Sequence, residues 1–481
     1  MMNINLLPAL PEIFIVAMII LMLLVDAFVG ETKKTVNTVL TVITLIVAYI
    51  IQILVYNGTP TLTFNNMFIL DNIAQSSKLL TYIFSLIIVI YSRQYINDKK
   101  LLKGEFYAVF LFAVLGMLVM ISSINLLTLY VGLELLSLSL YGLIALDRDN
   151  IKATESAMKF FILGALASGI LLYGISFIYG ATGGMLQLDQ VAVALQSPIA
   201  VDNNAILVFG LVFIVAGLLF KLGIVPFHMW VPDVYEGSSL AVTTVIGSIV
   251  KLAGLIFVIR FLYFGLLQLH SDWSVMLAIG GFLSLFVGNI VAIAQTNIKR
   301  MLGYSTVANM GFIAFGLMTT SINGLSACIF YMVTYVITAL AGFGVLLLLS
   351  KDNYECETIA DLRGLNKNHP IYAGIFAVVM FSFAGIPPLV GFYAKFKILE
   401  ALIEIGYVRT AVFAVVMSLI GAFFYLRVVK VMYFDDGSNE LVLSNTSIFG
   451  RSVLFLNGLL IILLGILPGG LMLYCSGLLH L

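Results

Sequence analysis

Charge is scarce in this chain. Only 10% of its 481 residues are Asp, Glu, Lys or Arg, against roughly a quarter in soluble domains. The 24 basic residues balance the 24 acidic ones, so the sequence has no basic surplus with which to hold nucleic acid. Cys328, Cys356 and Cys475 lie far apart and form no CxxC pair, which leaves no thiol-redox motif. The four histidines, His228, His270, His369 and His480, are equally scattered, with no helical spacing suited to haem or metal ligation. No GxGxxG or P-loop leads into a soluble nucleotide-binding fold. No redox centre, cofactor or metal is therefore expected in this chain, and no nucleotide hydrolysis. The opening MMNINLLPALPE has neither a basic region nor a cleavage motif, so no removable signal peptide is expected.

What fills the chain is apolar: 62% of residues are hydrophobic. Runs of about 20 apolar residues recur from end to end, the length needed to cross a bilayer as helix. Backbone groups find no water in lipid, so each run should be helical. The short alternating strands of a membrane barrel are absent. The fold class is thus an all-α polytopic membrane protein in contact with the lipid bilayer. Fourteen spans fit, near 6–29, 35–56, 69–91, 106–121, 123–146, 155–180, 204–224, 239–265, 274–295, 301–319, 323–350, 371–399, 407–434 and 450–479. The longest polar connections are NGTPTLTFNN (57–66), 181–204 and 351–370.

The basic residues test that count. With the N-terminus outside, alternating loops place 17 of the 24 on the cytoplasmic side: Lys33, Lys34, Arg93, Lys99, Lys100, Lys103, Arg148, Lys152, Lys159, Lys299, Arg300, Lys351, Arg363, Lys367, Arg427, Lys430 and Arg451. The other side receives only Arg260 and Arg409. This asymmetry follows the positive-inside rule and places both termini on the periplasmic side.

Five lysines stay within apolar runs or at their edges. Lys78 and Lys397 stand near polar edges and read as snorkelling side chains. Lys221, Lys251 and Lys395 are flanked by apolar sequence, as is Glu134 in LTLYVGLELLSLSLYGLIAL. A charge at a helix centre costs about 3 kcal/mol by insertion scales, so four together need a reason. Static ion pairing between helices is one. Proton handling is the other: a desolvated lysine loses part of what favours its charged form, a nearby carboxylate restores it, and arginine would not exchange a proton at all.

Prolines supply the second signal. Pro226 in KLGIVPF and Pro387–Pro388 in AGIPPLVGF break two spans that lie five apart, each carrying a lysine. Broken spans at matching places point to five-helix units of opposite topology, 106–265 and 274–434, preceded by a three-helix segment (1–105) and followed by a final helix (450–481). Ser305 and Thr306, in NIKRMLGYSTVANMGF, are candidates to hold water or simply to satisfy helix backbone. His228, beside the first break, suits a proton relay or a structural hydrogen bond equally. Asp233 and Glu236 are expected at the cytoplasmic surface.

KLGIVPFHMWVPDVYEGS, SIVKLAG, NIKRMLGYSTVANMGF and AGIPPLVGFYAKFKI resemble, in order and spacing, the antiporter-like subunits of respiratory complex I, and the N-type chains most of all. The resemblance covers nearly the whole chain. It implies fourteen helices in two inverted five-helix repeats with helices seven and twelve broken, and a proton path from cytoplasm to periplasm. Glu134, Lys221, Lys251 and Lys395 match the family's relay positions. It further implies an inner-membrane complex oxidising NADH and reducing quinone, with FMN and iron–sulfur clusters in partner subunits. The antiporter-like subunit M would stand on one side and small subunits such as K and J on the other. EGSSLAVTT departs from the family by lacking its usual prolines. A multi-subunit Na+/H+ antiporter and a non-pumping scaffold are the alternative functions.

Overall fold

The structure is a computed structural model describing residues 5–29, 35–99, 101, 104–196, 204–350, 355–436 and 448–479. Lys33, Lys34, Lys100, Lys103, Lys351 and His480 lie outside the described residues. Among the described residues, thirteen helices are long and apolar enough to cross a membrane. The remaining expected span, the twelfth, is present as two pieces, Pro370–Ala384 and Val390–Glu404. Short polar residues start several helices where the first-turn amides would otherwise go unpaired: the side chains of Asp71, Asn125, Asn150, Asn297 and Ser321 accept from backbone N–H groups one turn on.

Burial sorts the spans into two classes. In their most apolar stretches, Leu240–Gly265 and Ile322–Leu349 are 100% buried and Ile298–Met318 is 94% buried, whereas Ile448–Ile466 is 28% buried. Three spans therefore form a protein-wrapped interior. The peripheral spans turn Leu, Ile, Val and Phe side chains outward, as at Leu166, Phe209, Leu419 and Phe455, the disposition expected where hydrocarbon is the solvent.

Departures from the sequence reading sit at interruptions. The eighth span is divided at Ser248 (φ −127°, ψ −92°) into Leu240–Gly247 and Ile249–Ile259, and then widens into a π turn over Arg260–Gly265. The last span ends at Ile466 rather than running to 479, because Pro468 intervenes before Gly469–Gly477. The connection 57–66 opens a two-stranded hairpin, Thr61–Thr63 against Phe68–Leu70, in register Thr61↔Leu70. Its tight link takes Phe64, Asn65 and Asn66 to positive φ, a region that asparagine tolerates better than most residues. The connection 181–204 contains a short helix, Leu188–Ala194.

Candidate functional site

Glu134 and Lys221 face each other from the fifth and seventh spans. The Lys221 ammonium donates to the Ser137 hydroxyl (2.7 Å), which in turn donates to the Leu133 carbonyl (2.7 Å). Glu134 is the carboxylate whose field acts on Lys221, yet the two make no salt bridge, and Glu134 Oε1 is buried without a hydrogen-bond partner. One turn of helix separates Glu134 from Ser137, so both belong to one face of the fifth span. Lys221 is thus held by a hydroxyl rather than by the carboxylate.

Beyond Lys221 the seventh span stops. Its helix, Asn204–Leu222, ends at Gly223 (φ +80°); the first half of the twelfth, Pro370–Ala384, ends at Gly385 (φ +85°). Only glycine adopts that backbone without strain. In both breaks the peptide before the third residue on, Pro226 or Pro388, is cis. The hydrogen bonds match as well. Gly223 N donates to Leu219 O and Phe220 O, Ile224 N to Leu219 O and Phe227 N to Ile224 O. Gly385 N donates to Phe381 O and Ser382 O, Ile386 N to Phe381 O and Leu389 N to Ile386 O. The same stop is built twice from different sequences.

Each stop leaves last-turn carbonyls without amide partners, at the negative end of the helix dipole. A lysine fills the gap in both. Lys251 Nζ donates to Leu222 O (2.9 Å) and lies 4.8 Å from the Trp230 ring centre, and the residue is 0% exposed. Lys395 Nζ donates to Phe383 O (2.8 Å), Ala384 O (3.1 Å) and Ser418 Oγ (2.9 Å). The sequence reading assigned each broken span its own lysine, Lys221 and Lys395. The geometry instead pairs Lys395 with Lys251, which arrives from the neighbouring eighth span.

Lys395 also lines two cavities. One is lined by Asn309, Tyr331, Tyr335, Ser382, Phe383 and Lys395 itself. The other, about 260 Å³, is mostly apolar and runs between Phe312, Phe392, Phe396, Val415, Leu419 and Lys395. Polar side chains of the tenth and eleventh spans converge on the first. Ser305 Oγ meets the Tyr425 hydroxyl at 2.5 Å, and Thr306 Oγ1 meets the Tyr335 hydroxyl at 2.9 Å while donating to Leu302 O (2.9 Å). Asn309 accepts from Tyr331 (2.7 Å). Thr306 thus serves its backbone and the side-chain network at once. His228 is buried with Nδ1 lacking a partner, and its ring centre lies 6.5 Å from that of Tyr304.

The model of the NADH:quinone oxidoreductase/Mrp antiporter transmembrane family matches residues 123–421. A curated relative from Laribacter hongkongensis, NADH-quinone oxidoreductase subunit N, is 51% identical over 476 residues, 98% of this chain and 97% of the relative. The chain belongs to the subunit N family. Its counterpart of that name from Thioalkalivibrio sulfidiphilus is 48% identical over 98% of this chain and 97% of the relative. Among solved structures, a chain of respiratory complex I from Thermus thermophilus with bound aureothin superposes with a TM-score of 0.81 at 30% identity, covering 96% of this chain and 98% of that one.

Within this subunit N fold, charges that sequence spacing left at the edges turn out to be interior. Lys78, read as snorkelling, is 0% exposed and 2.5 Å from Glu12. Arg260, assigned to the periplasmic end of the eighth span, is fully buried and grips Asp71 through both terminal nitrogens at 2.7 Å. Lys397 is instead partly exposed and paired with Glu400 at 2.6 Å. At the end holding most of the basic residues, Lys299 bonds to Glu355 (2.8 Å) and Ser238 O (3.1 Å), and Arg300 bonds to Asp233 (2.7 Å) and Glu236 (3.0 Å). Asp233 and Glu236 are partly exposed, as expected of surface carboxylates. Pairs such as Asp71–Arg260, 189 residues apart, give no local signal that a sequence scan can detect. Among the described residues no cluster of three or more His, Cys, Asp or Glu side chains is arranged to hold a metal.

Proposed function

We propose that this chain is a proton-translocating membrane-arm subunit of an NADH:quinone oxidoreductase, moving protons from cytoplasm to periplasm while partner subunits oxidise NADH and reduce quinone. The observation that carries it is the double stop: two severed helices, each with its free carbonyls capped by an ammonium that the bilayer would otherwise reject. A carbonyl cannot take up a proton, so each lysine is held in place by the cap and discharges to water or to a polar neighbour rather than to its anchor. Glu134, Lys221 and Ser137 form the first exchange point. Lys251 follows, since its anchor Leu222 is the residue next to Lys221. The Tyr235 hydroxyl stands among Thr306 and Tyr335, leading to the polar cavity at Lys395.

The matching stops support the division into inverted units 106–265 and 274–434, and the basic-residue asymmetry supports placing both termini at the periplasm of an inner-membrane protein. Kinship with subunit N chains supports membrane-arm neighbours, with subunit M on one side and K and J on the other, and FMN and iron–sulfur clusters in more distant partners. Complexes carrying Lys221→Ala or Glu134→Ala, reconstituted in vesicles, are expected to lose proton uptake and coupled quinone reduction together. Full coupling in both variants would refute the assignment.

A further inference from the structure

Four buried charges lie together outside the relay, where the first, third and eighth spans meet: Glu12, Asp71, Lys78 and Arg260. They form two pairs of opposite character. Asp71–Arg260 is completely satisfied. Both Asp71 oxygens accept from Arg260 at 2.7 Å, Oδ1 also accepts from Ala74 N (2.8 Å), and Arg260 Nε donates to Ile121 O (3.2 Å). Arginine keeps its proton at all working pH values, so this pair is a fixed brace.

Glu12–Lys78 is built differently. Nζ stands 2.5 Å from Glu12 Oε1 with side-chain exposures of 0% and 8%. Apart from each other, neither the carboxylate oxygens nor Nζ have a hydrogen-bond partner. The Tyr82 hydroxyl, also buried and unpartnered, lies in the field of Glu12, and the Phe68 ring centre is 4.5 Å from Nζ. A buried ion pair kept for stability alone needs its remaining lone pairs and protons satisfied, as its neighbour's are. This one pairs the two side-chain types that can trade a proton and leaves their other valences open.

We infer that Glu12 and Lys78 form a proton-exchange site in the three-helix segment, beside the outer end of the first unit, handing protons between the interior and the periplasmic water. The step is a transfer from Lys78 Nζ to Glu12 Oε1, leaving a neutral amine beside a carboxylic acid. Glu12 then releases the proton outward, and Lys78 takes another from inside, past the Tyr82 hydroxyl. The charged groups facing the pair are Asp71 and Arg260, which cancel each other and neither donate nor accept in the cycle.

This inference rests on the proton-translocation reading above, and the test separates the two. Lys78→Arg, in the whole complex reconstituted in vesicles, preserves the ion pair but cannot release its proton. Proton uptake is expected to fall by at least about tenfold, within the range set by a positioned proton-transfer group. Uptake equal to the native complex means a static pair and overturns the inference. Should Lys78→Arg fail to assemble, Glu12→Gln with Lys78→Met removes both charges together: loss of uptake supports exchange, and native uptake overturns it. Lys221→Ala is measured alongside. If it abolishes uptake while the Lys78 variants do not, only the outer site falls; if it too is silent, the translocation reading falls with it.

Discussion

Replacing Lys251 by methionine separates a structural lysine from a working one. The side chain is fully buried, with one hydrogen bond to Leu222 O at 2.9 Å and an aromatic contact to Trp230 at 4.8 Å. Methionine fills nearly the same volume. Losing the ammonium forfeits a charge-assisted hydrogen bond of about 2 kcal/mol and a cation–π contact of about 1 kcal/mol. It also removes a desolvation penalty of about 3 kcal/mol on the insertion scale. The terms cancel, so Lys251→Met is expected to assemble at native levels and melt within a few degrees of the native complex. Proton uptake coupled to NADH oxidation, measured with a pH-sensitive dye in vesicles, is expected to fall by at least about tenfold. A variant that melts much earlier yet pumps normally would show that Lys251 is a strut, and would refute the argument from desolvation.

Gly385→Ala forces a side chain onto φ +85° and places its Cβ 3.0 Å from Lys395 Cδ. It should lower stability by about 1–3 kcal/mol and reduce proton uptake. Gly374→Ala, with nothing within 4 Å of the new atom, should do neither, as comparison of melting and uptake in the two variants will check. Asp71→Asn leaves Arg260 buried without its counter-ion and should destabilise the chain by about 3–5 kcal/mol, read as loss of assembled complex, with Arg260→Met restoring part of it. Glu355 gives a pH prediction. Burial alone would raise its carboxyl, but the Lys299 ammonium, with Lys99 and the Tyr95 hydroxyl beyond it, holds it below its ordinary 4.5. Its contribution to stability is therefore present in full above that value and disappears as pH falls through the lower folded-state value; the melting gap between the native complex and Glu355→Gln should stay constant from pH 7 down to 4.5 and narrow only below it.

The spans and the two breaks were legible because each is a local property: twenty apolar residues, or a proline following glycine inside them. Glu134, Lys221, Lys251 and Lys395 stood out for the same reason, as single charges in uniform surroundings. What stayed hidden depends on partners. Glu12 and Asp71 lie at the ends of apolar runs, where a carboxylate looks like ordinary loop polarity, and only the fold brings Lys78 and Arg260 onto them. The eighth span divides at Gly247–Ser248, but the same two residue types stand as Ser168–Gly169 inside an unbroken helix, so residue type alone does not announce the division. The kinship of Lys251 with Lys395 was invisible because one reaches its stop from a neighbouring span and the other from the same one.

The tenth span, Ile298–Met318, is the least apolar of the thirteen long helices and is almost wholly enclosed by its neighbours. Such a helix is released from the demand that membrane segments be oily, since no acyl chain ever meets it. Its tolerance of substitution is set by whether Tyr331, Tyr335 and Tyr425 still find Asn309, Thr306 and Ser305. A hydroxyl deleted from Tyr425, three spans away, should therefore perturb it more than any change of lipid.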